Sequence, residues 1–212
     1  MARVTIIGGH GKVALRLARL LAQRGDEVTS WVRNPDHAGD VEATGARARV
    51  ADVESMSLDE MTSALADVDA VVWSAGAGGG SPERTYAVDR DAAVRSVDAA
   101  EAAGVDRYVM VSYHYRKPDH GVPPDSSFFP YAEAKKAADD AVRGSDLDWV
   151  VLGPSSLTDD PGTGRIDTTG EASSVSRDDV AAVAAHVLAT PSVSRVTIDF
   201  NGGDVPVEDA IG

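Results

Sequence analysis

The sequence predicts an α/β fold in which one doubly wound parallel sheet of about seven strands carries helices on both faces. Short apolar runs alternate with segments that have helical spacing over about ten or more residues, and this alternation is typical of parallel sheets covered on both sides. The chain has 212 residues, enough for one substantial core and too few for two, so we expect a single domain over residues 1–212.

Each element is justified by its pattern in turn. The β-rich run RVTII at 3–7 ends at Gly8, and the next segment has helical spacing until Gly25. Including that first run, strands are expected at 3–7, 27–33, 46–50, 69–76, 105–112, 147–154 and 195–200. Helices are expected at 13–24, 58–68, 83–103 and 174–189, and in the segment that begins at 131. The helix at 174–189 opens with serine and acidic residues, which is a helix start signal.

Composition and charge exclude several classes of function. The formal net charge of −14 argues against nucleic acid or an anionic membrane as a partner, because both would be repelled. The absence of cysteine rules out disulfides and thiol nucleophiles, and the histidines show no metal-ligand spacing, so no metal site is predicted. No apolar run approaches the ~18 residues of a membrane span, and no signal-peptide pattern opens the sequence, so we expect a cytoplasmic protein.

A glycine turn joins the first strand to the first helix. In GGHGKVA at 8–14, Gly8 and Gly11 are separated by two residues. Glycines there allow a tight reversal and let backbone N–H groups approach a pyrophosphate at the helix N-terminus. His10, Lys12 and Val13 would contribute backbone to the same site, with the His10 side chain facing outward. The turn therefore predicts dinucleotide binding.

The end of the second strand indicates which dinucleotide binds. Arg33 in WVRNP is followed by Asn34, and the first carboxylate after them is Asp36. A guanidinium can form paired hydrogen bonds with a 2′-phosphate, which favours NADP(H) over NAD(H), although Arg33 could also be a solvated residue at a strand end. Asp52, with Val53, follows the third strand and would either meet the adenine amino group or only cap the next turn.

Three residues form a candidate catalytic set. Tyr131 and Lys135 are four positions apart and so share one face of a helix. A nearby ammonium would lower the tyrosine pKa from about 10 and make Tyr131 a better proton-transfer group. Ser112 ends a preceding strand, where its hydroxyl would hydrogen-bond a substrate oxygen as charge develops on it. The alternative is that Ser112 only satisfies loop backbone and that Lys135 only solvates its helix.

These motifs occur in the order IIGGHGKVA, VRNP, ADV, VVWSAG, VDRDAAV, VDRYVMVS, YAEAKKAAD, LDWVVLGPSSLTDDPGTGRI and VSRDDVA. Over nearly the whole chain they resemble the atypical branch of the short-chain dehydrogenase/reductase superfamily, in particular proteins called NADH-flavin reductases or sugar epimerases. The resemblance implies a Rossmann fold, a bound dinucleotide and a catalytic set at Ser112, Tyr131 and Lys135, with Tyr131 and Lys135 also near the cofactor.

The resemblance implies two further cofactor segments. Pro154, Ser155 and Ser156 would contact the nicotinamide end, and Ser74, Ala75 and Gly76 would lie beside the ribose and phosphates. The sequence departs from the family in having Ala14 where a third glycine would stand. Only some twenty residues follow the last helix, which makes a nucleotide-sugar substrate less attractive.

A small-molecule pocket is expected in the loops near 76–82, 113–130 and 153–175. The aromatic residues there would either line a pocket for a flat substrate or pack inside the protein; they are Tyr113, His114, Tyr115, Phe128 and Phe129. The favoured function is an NADP(H)-dependent oxidoreductase that reduces a small carbonyl, quinone or flavin-like acceptor. A dinucleotide-binding sensor without turnover and a nucleotide-sugar epimerase or dehydratase are the alternatives. The sequence does not indicate an oligomeric state.

Overall fold

A computed structural model describes residues 1–78, 81–115 and 119–212 of the chain. The strands are β1 (Arg3–Ile7), β2 (Glu27–Val32), β3 (Arg47–Val50), β4 (Ala70–Trp73), β5 (Arg107–Val111), β6 (Asp148–Pro154), β7 (Ser156–Thr158), β8 (Arg165–Asp167), β9 (Ser174–Ser176), β10 (Val196–Gly202) and β11 (Val205–Pro206). The α-helices are α1 (Lys12–Arg24), α2 (Ala38–Glu42), α3 (Leu58–Ala64), α4 (Pro82–Thr85), α5 (Ala93–Ala103), α6 (Phe129–Gly144), α7 (Arg177–Ala189) and α8 (Val207–Ala210).

The seven predicted strands form one parallel sheet in the order β3-β2-β1-β4-β5-β6-β10. The fold class is confirmed, but the expected strand count was too low. The short strands β8 and β11 extend the sheet antiparallel beyond β10 to nine strands, and β7 pairs with β9 in a separate two-stranded sheet. Strands of two or three residues are too short to show a period in sequence, which is why these four were missed.

Helices cover both faces of the sheet. On one face α1 and α7 pack together over residues such as Val4, Ile6 and Val72. On the other face α3, α5 and α6 cover residues such as Ile7 and Trp73. Neighbouring residues of one strand thus bury their side chains in opposite cores, as expected for a sheet buried on both sides.

The long helix expected at 83–103 is interrupted. Between α4 and α5 the residues Tyr86–Ala92 form a π-helical segment, and Gly104, with φ +72°, ends α5 in the left-handed conformation. The extra residue per turn in a π-helix changes which side chains face inward, and such segments occur often at functional sites. Asp89 lies in the middle of this segment and is buried.

Two further short helices, a 3₁₀ turn at Pro35–His37 and α2, follow β2 and were not expected from sequence. Within the described parts of the chain, no helix combines the length and the apolar character needed to cross a membrane.

Candidate active site

A cleft of about 1360 Å³ opens at the carboxyl ends of β1 to β5, the edge where ligands bind in doubly wound sheets. The sequence-predicted residues that line it are Gly8, His10, Gly11, Lys12, Val13, Arg33, Asn34, Asp52, Val53, Ser74, Ala75, Gly76, Ser112, Tyr131 and Lys135. The fold therefore brings the predicted glycine turn and the predicted catalytic set into one cleft. Two of the loops expected around the pocket include residues 79–80 and 116–118, which lie outside the described residues.

The structure does not bring Pro154, Ser155 and Ser156 into the lining of this cleft. Pro154 ends β6 and pairs with β10. Ser155 is buried and donates its hydroxyl hydrogen to Asn201 Oδ1 at 2.6 Å. Leu157, which directly follows Ser156, does line the cleft. The cofactor contact that the resemblance implies for these three residues stays a prediction.

The glycine turn has no room for side chains. A Cβ on Gly8 would lie 2.5 Å from the backbone N and Cα of Ala75, and Gly8 has a φ of +87°. A Cβ on Gly9 would lie 2.4 Å from Ser30 Cβ. Gly11 is the N-cap of α1, and no side chain of the described residues caps this helix end. Because the first-turn N–H groups of α1 have no side-chain acceptor and face a close-packed turn, the site fits the pyrophosphate of a dinucleotide.

Cations surround this helix end. Lys12 Nζ lies 2.6 Å from Asp159 Oδ2, and Arg177 Nη1 lies 3.1 Å from Asp159 Oδ1. Arg16 is 3.9 Å from the same carboxylate and is also paired with Asp178. Lys12 and Arg177 both line the cleft. Arg177 was not predicted, and its one sequence signal is its position as the first residue of a helix whose N-cap, Ser176, is polar.

Arg33 lines the cleft and forms an ion pair there. Its Nη1 lies 2.9 Å from Glu54 Oε1, which also accepts a hydrogen bond from Arg84 Nε at 3.2 Å. The side chain of Arg33 is 54% exposed, so the guanidinium is accessible to an incoming ligand. Asp52 accepts a hydrogen bond from the backbone N of Glu54 at 3.2 Å, which is the turn-capping role considered for it.

His10, in the glycine turn, contacts residues that follow β2. Its ring stacks on His37 with ring centroids 3.6 Å apart, and its Nε2 lies 2.8 Å from Asp40 Oδ2. Both histidines line the cleft. The His10 side chain therefore packs on the 3₁₀ turn, which the sequence did not reveal.

Tyr131 and Lys135 lie on one wall of the cleft, but they do not contact each other through hydrogen bonds. Lys135 is buried and donates from Nζ to the carbonyl oxygen of Val111 at 2.9 Å. The Tyr131 hydroxyl makes no hydrogen bond with the described part of the chain. Burial raises the pKa of Tyr131, and the nearby Asp89 raises it further. The direction of this pKa shift is opposite to the lowering expected from sequence, so Tyr131 is a neutral phenol at ordinary pH.

Two buried carboxyl groups flank Lys135, and neither was predicted. Asp89, from the π-helical segment, accepts a hydrogen bond from the backbone N of Ala77 at 2.9 Å and lines the cleft. Asp139 lies one turn after Lys135, and its Oδ2 is 2.6 Å from the hydroxyl oxygen of Ser112. Burial raises the pKa of both carboxyl groups and lowers the pKa of Lys135. The sequence showed only acidic residues on amphipathic helices, which are usually solvated.

An aromatic cluster stands next to Tyr131. The rings of Tyr113 and Phe128 lie 5.5 and 5.1 Å from that of Tyr131. Phe128 lines the cleft, whereas Tyr113 and Tyr115 are not among its lining residues. Burial raises the pKa of Tyr113 to about 12, and its hydroxyl has no hydrogen-bond partner in the described chain. Phe128 is thus placed where a substrate pocket would need it, while Tyr113 packs against Phe128, Tyr115 and Tyr131.

Comparisons with known proteins agree with this geometry. A family model described as NAD(P)H-binding matches residues 8–191. The uncharacterized sugar epimerase YhfK of Bacillus subtilis is 32% identical over 99% of this chain and 98% of its own length. The protein YMR090W of Saccharomyces cerevisiae is 34% identical over 99% of this chain and 97% of its own length. A Bacillus halodurans structure named after the NAD-dependent epimerases/dehydratases has a TM-score of 0.90 and 30% identity, covering 100% of this chain and 99% of that one.

Proposed function

Because the chain belongs to the NAD(P)H-binding family and fits the atypical short-chain dehydrogenases/reductases, we propose that it is an NADP(H)-dependent oxidoreductase that reduces a small carbonyl, quinone or flavin-like acceptor. One observation carries the proposal: Ser112, Tyr131 and Lys135 line the same cleft as the uncapped N-terminus of α1. A protein that only binds dinucleotides has no chemical need for the three side chains.

Each part of the site has a separate role in the proposed reduction. The glycine turn and the N-terminus of α1 would hold the pyrophosphate, and a bound reduced nicotinamide would supply a hydride. Tyr131, a neutral phenol, donates a proton to the acceptor oxygen. Lys135, whose Nζ donates to the carbonyl oxygen of Val111, stands beside the reacting groups and the two buried carboxyl groups, and burial lowers its pKa. Ser112 positions the acceptor oxygen.

The test of this function is NADPH oxidation with a panel of aldehydes, ketones, quinones, flavins and nucleotide sugars. We expect turnover with at least one carbonyl, quinone or flavin. Tight NADPH binding without turnover of any acceptor would favour the sensor. Conversion of a nucleotide sugar without net oxidation of NADPH would favour the epimerase.

The preference for NADP(H) is proposed on the basis of Arg33. Replacing Arg33 with alanine should weaken NADPH binding by about 10- to 100-fold, because a charge-assisted hydrogen bond to a phosphate contributes about 1.5–3 kcal/mol. NADH binding should change little, and calorimetric titration with each nucleotide measures both. The charge-matched control is Arg47→Ala, since Arg47 is exposed on β3 and outside the cleft. Equal losses for the two nucleotides would contradict the assignment.

Asp159 should oppose cofactor binding, because it holds Lys12 and Arg177 where a pyrophosphate would need them. Replacing Asp159 with asparagine should therefore tighten NADPH binding by about 2- to 10-fold, in line with the modest energies of exposed ion pairs. The gain should shrink at high salt. Asp160→Asn removes the same charge from the neighbouring exposed position and should leave the affinity close to that of the wild type. Weaker binding by the Asp159 variant would show that the ion pairs organise the site.

We further propose a small-molecule substrate with neither nucleic acid nor a membrane as partner, and a cytoplasmic location. The net charge of −14 supports the absence of nucleic acid and of an anionic membrane among the partners.

A further inference from the structure

Ser112 is connected to a carboxyl group that lies entirely behind the cleft. Ser112 lines the cleft at the end of β5, and its Oγ lies 2.6 Å from Oδ2 of Asp139. Asp139 has no exposed surface. A separation of 2.6 Å suits a hydroxyl that donates to a carboxylate, and it equally suits a carboxylic acid that donates to a hydroxyl.

The direction of this hydrogen bond determines what Ser112 can do in the cleft. A serine hydroxyl has one hydrogen to donate and can accept through its lone pairs. If Ser112 donates to an ionised Asp139, no hydrogen remains for a substrate oxygen. If a neutral Asp139 donates to Ser112, the hydroxyl hydrogen of Ser112 is free to point into the cleft.

The surroundings of Asp139 favour the neutral acid. Its Oδ1 is buried and has no hydrogen-bond partner in the described chain, and an unpartnered carbonyl oxygen costs less than an unpartnered carboxylate oxygen. Burial raises the pKa of Asp139, and this is the largest influence on it. The opposing influences come from Lys135 and Arg143 on α6 and from hydrogen bonds with Ser112 and Tyr115.

Lys135 faces two carboxyl groups, and this limits how far it can lower the pKa of Asp139. It faces Asp89 of the π-helical segment as well as Asp139, so one buried ammonium stands between two buried carboxyl groups. Arg143 is shared in the same way with Asp199 on β10. The neutral phenols Tyr113 and Tyr131 complete the groups facing Asp139, and His114 stands next to Asp199. Neither cation is therefore available to Asp139 alone.

Resting on the proposed reduction, we infer that Asp139 is a positioning residue: as a neutral acid it donates to Ser112 Oγ, so that Ser112 donates its own hydrogen to the acceptor oxygen. A bound reduced nicotinamide would supply the hydride for the acceptor carbon, and Tyr131 would give the acceptor oxygen its proton. Ser112 and Asp139 keep their hydrogens throughout. When Asp139 is ionised, Ser112 donates its hydrogen to Asp139, and the acceptor oxygen loses its hydrogen bond from Ser112.

Replacing Asp139 with asparagine tests the inference, because an amide can donate to Ser112 at every pH. In the wild type kcat should fall as pH rises through the titration of Asp139, by about 10²-fold if the full hydrogen bond to the developing oxyanion is lost. The variant should lack this fall and exceed the wild type at high pH. Asp140→Asn, the same change at the next and exposed position of α6, should keep it. A fall of equal size in the Asp139 variant would overturn the inference.

A double-mutant cycle separates this role from a structural one. If Asp139 acts through Ser112, Asp139→Asn should leave the pH profile of the Ser112→Ala variant unchanged. A further change of profile in the Ser112→Ala background would show that Asp139 acts by another route, and would overturn the assignment.

Infrared spectra of the free wild-type chain provide a readout that does not depend on turnover. A carboxylic acid C=O band should persist to higher pH than expected for an ordinary aspartate, shift in Ser112→Ala, remain in Asp140→Asn and be missing from Asp139→Asn. This result stands even if the panel of acceptors shows no activity, in which case only the proposed function fails. Absence of the band attributable to Asp139 at all pH values above about 5 would overturn the inference even in an active enzyme.

Discussion

Replacing Tyr131 with phenylalanine is expected to lower kcat for a carbonyl acceptor by about 10²- to 10⁴-fold, the usual contribution of a positioned proton donor. The phenylalanine keeps the ring that packs against Phe128 and Tyr113 but removes the proton. NADPH affinity should change by no more than about fivefold, the equivalent of one neutral hydrogen bond. Stopped-flow measurement of NADPH oxidation, together with a binding titration, separates the two effects.

The matched control for this experiment is Tyr113→Phe. The Tyr113 ring lies 5.5 Å from that of Tyr131, and its buried hydroxyl has no partner in the described chain. Removing it should therefore leave kcat close to the wild-type value. Turnover of a carbonyl that survives in Tyr131→Phe would exclude Tyr131 as the proton donor. If Tyr131→Phe lost turnover with carbonyls but kept it with flavins, the reduction of flavins would not depend on a proton from Tyr131.

The second large effect is expected at the glycine turn, where Gly8→Ala should destabilise the fold by about 2–5 kcal/mol and abolish tight NADPH binding. A φ of +87° is unfavourable for alanine by about 1–2 kcal/mol. In addition the new Cβ would lie 2.5 Å from backbone atoms of Ala75, so one strand end must move, at a further cost of about 1–3 kcal/mol. Urea unfolding and a nucleotide titration measure the two consequences.

Gly104→Ala is the control for backbone strain alone. Gly104 ends α5 with a φ of +72°, and a Cβ there would meet no atom within 4 Å. This variant should lose only about 1–2 kcal/mol and bind NADPH normally. If both variants lost equal stability, the close approach of Gly8 to Ala75 would contribute nothing.

Much of the fold could be predicted because its parts are local in sequence. The seven parallel strands and the main helices each contain an apolar period or a glycine stop within their own residues. The short strands β7, β8, β9 and β11 have no such period, because their pairing depends on where the chain returns to the sheet. The π-helical segment has no local signal either.

In the candidate site, too, the features that depend on neighbouring residues could be predicted, and those that depend on distant elements could not. The sequence by itself determined the glycine turn, the shared face of Tyr131 and Lys135 and the place of Ser112 at a strand end, since each depends on neighbouring residues. Only the tertiary structure decided that Asp139 lies behind Ser112, that Lys135 bonds to Val111 instead of Tyr131, and that Arg177 joins Lys12 at Asp159. The physical reason is that burial and the meeting of distant elements set which groups are paired and which way their pKa values shift, and neither can be calculated from spacing along the chain.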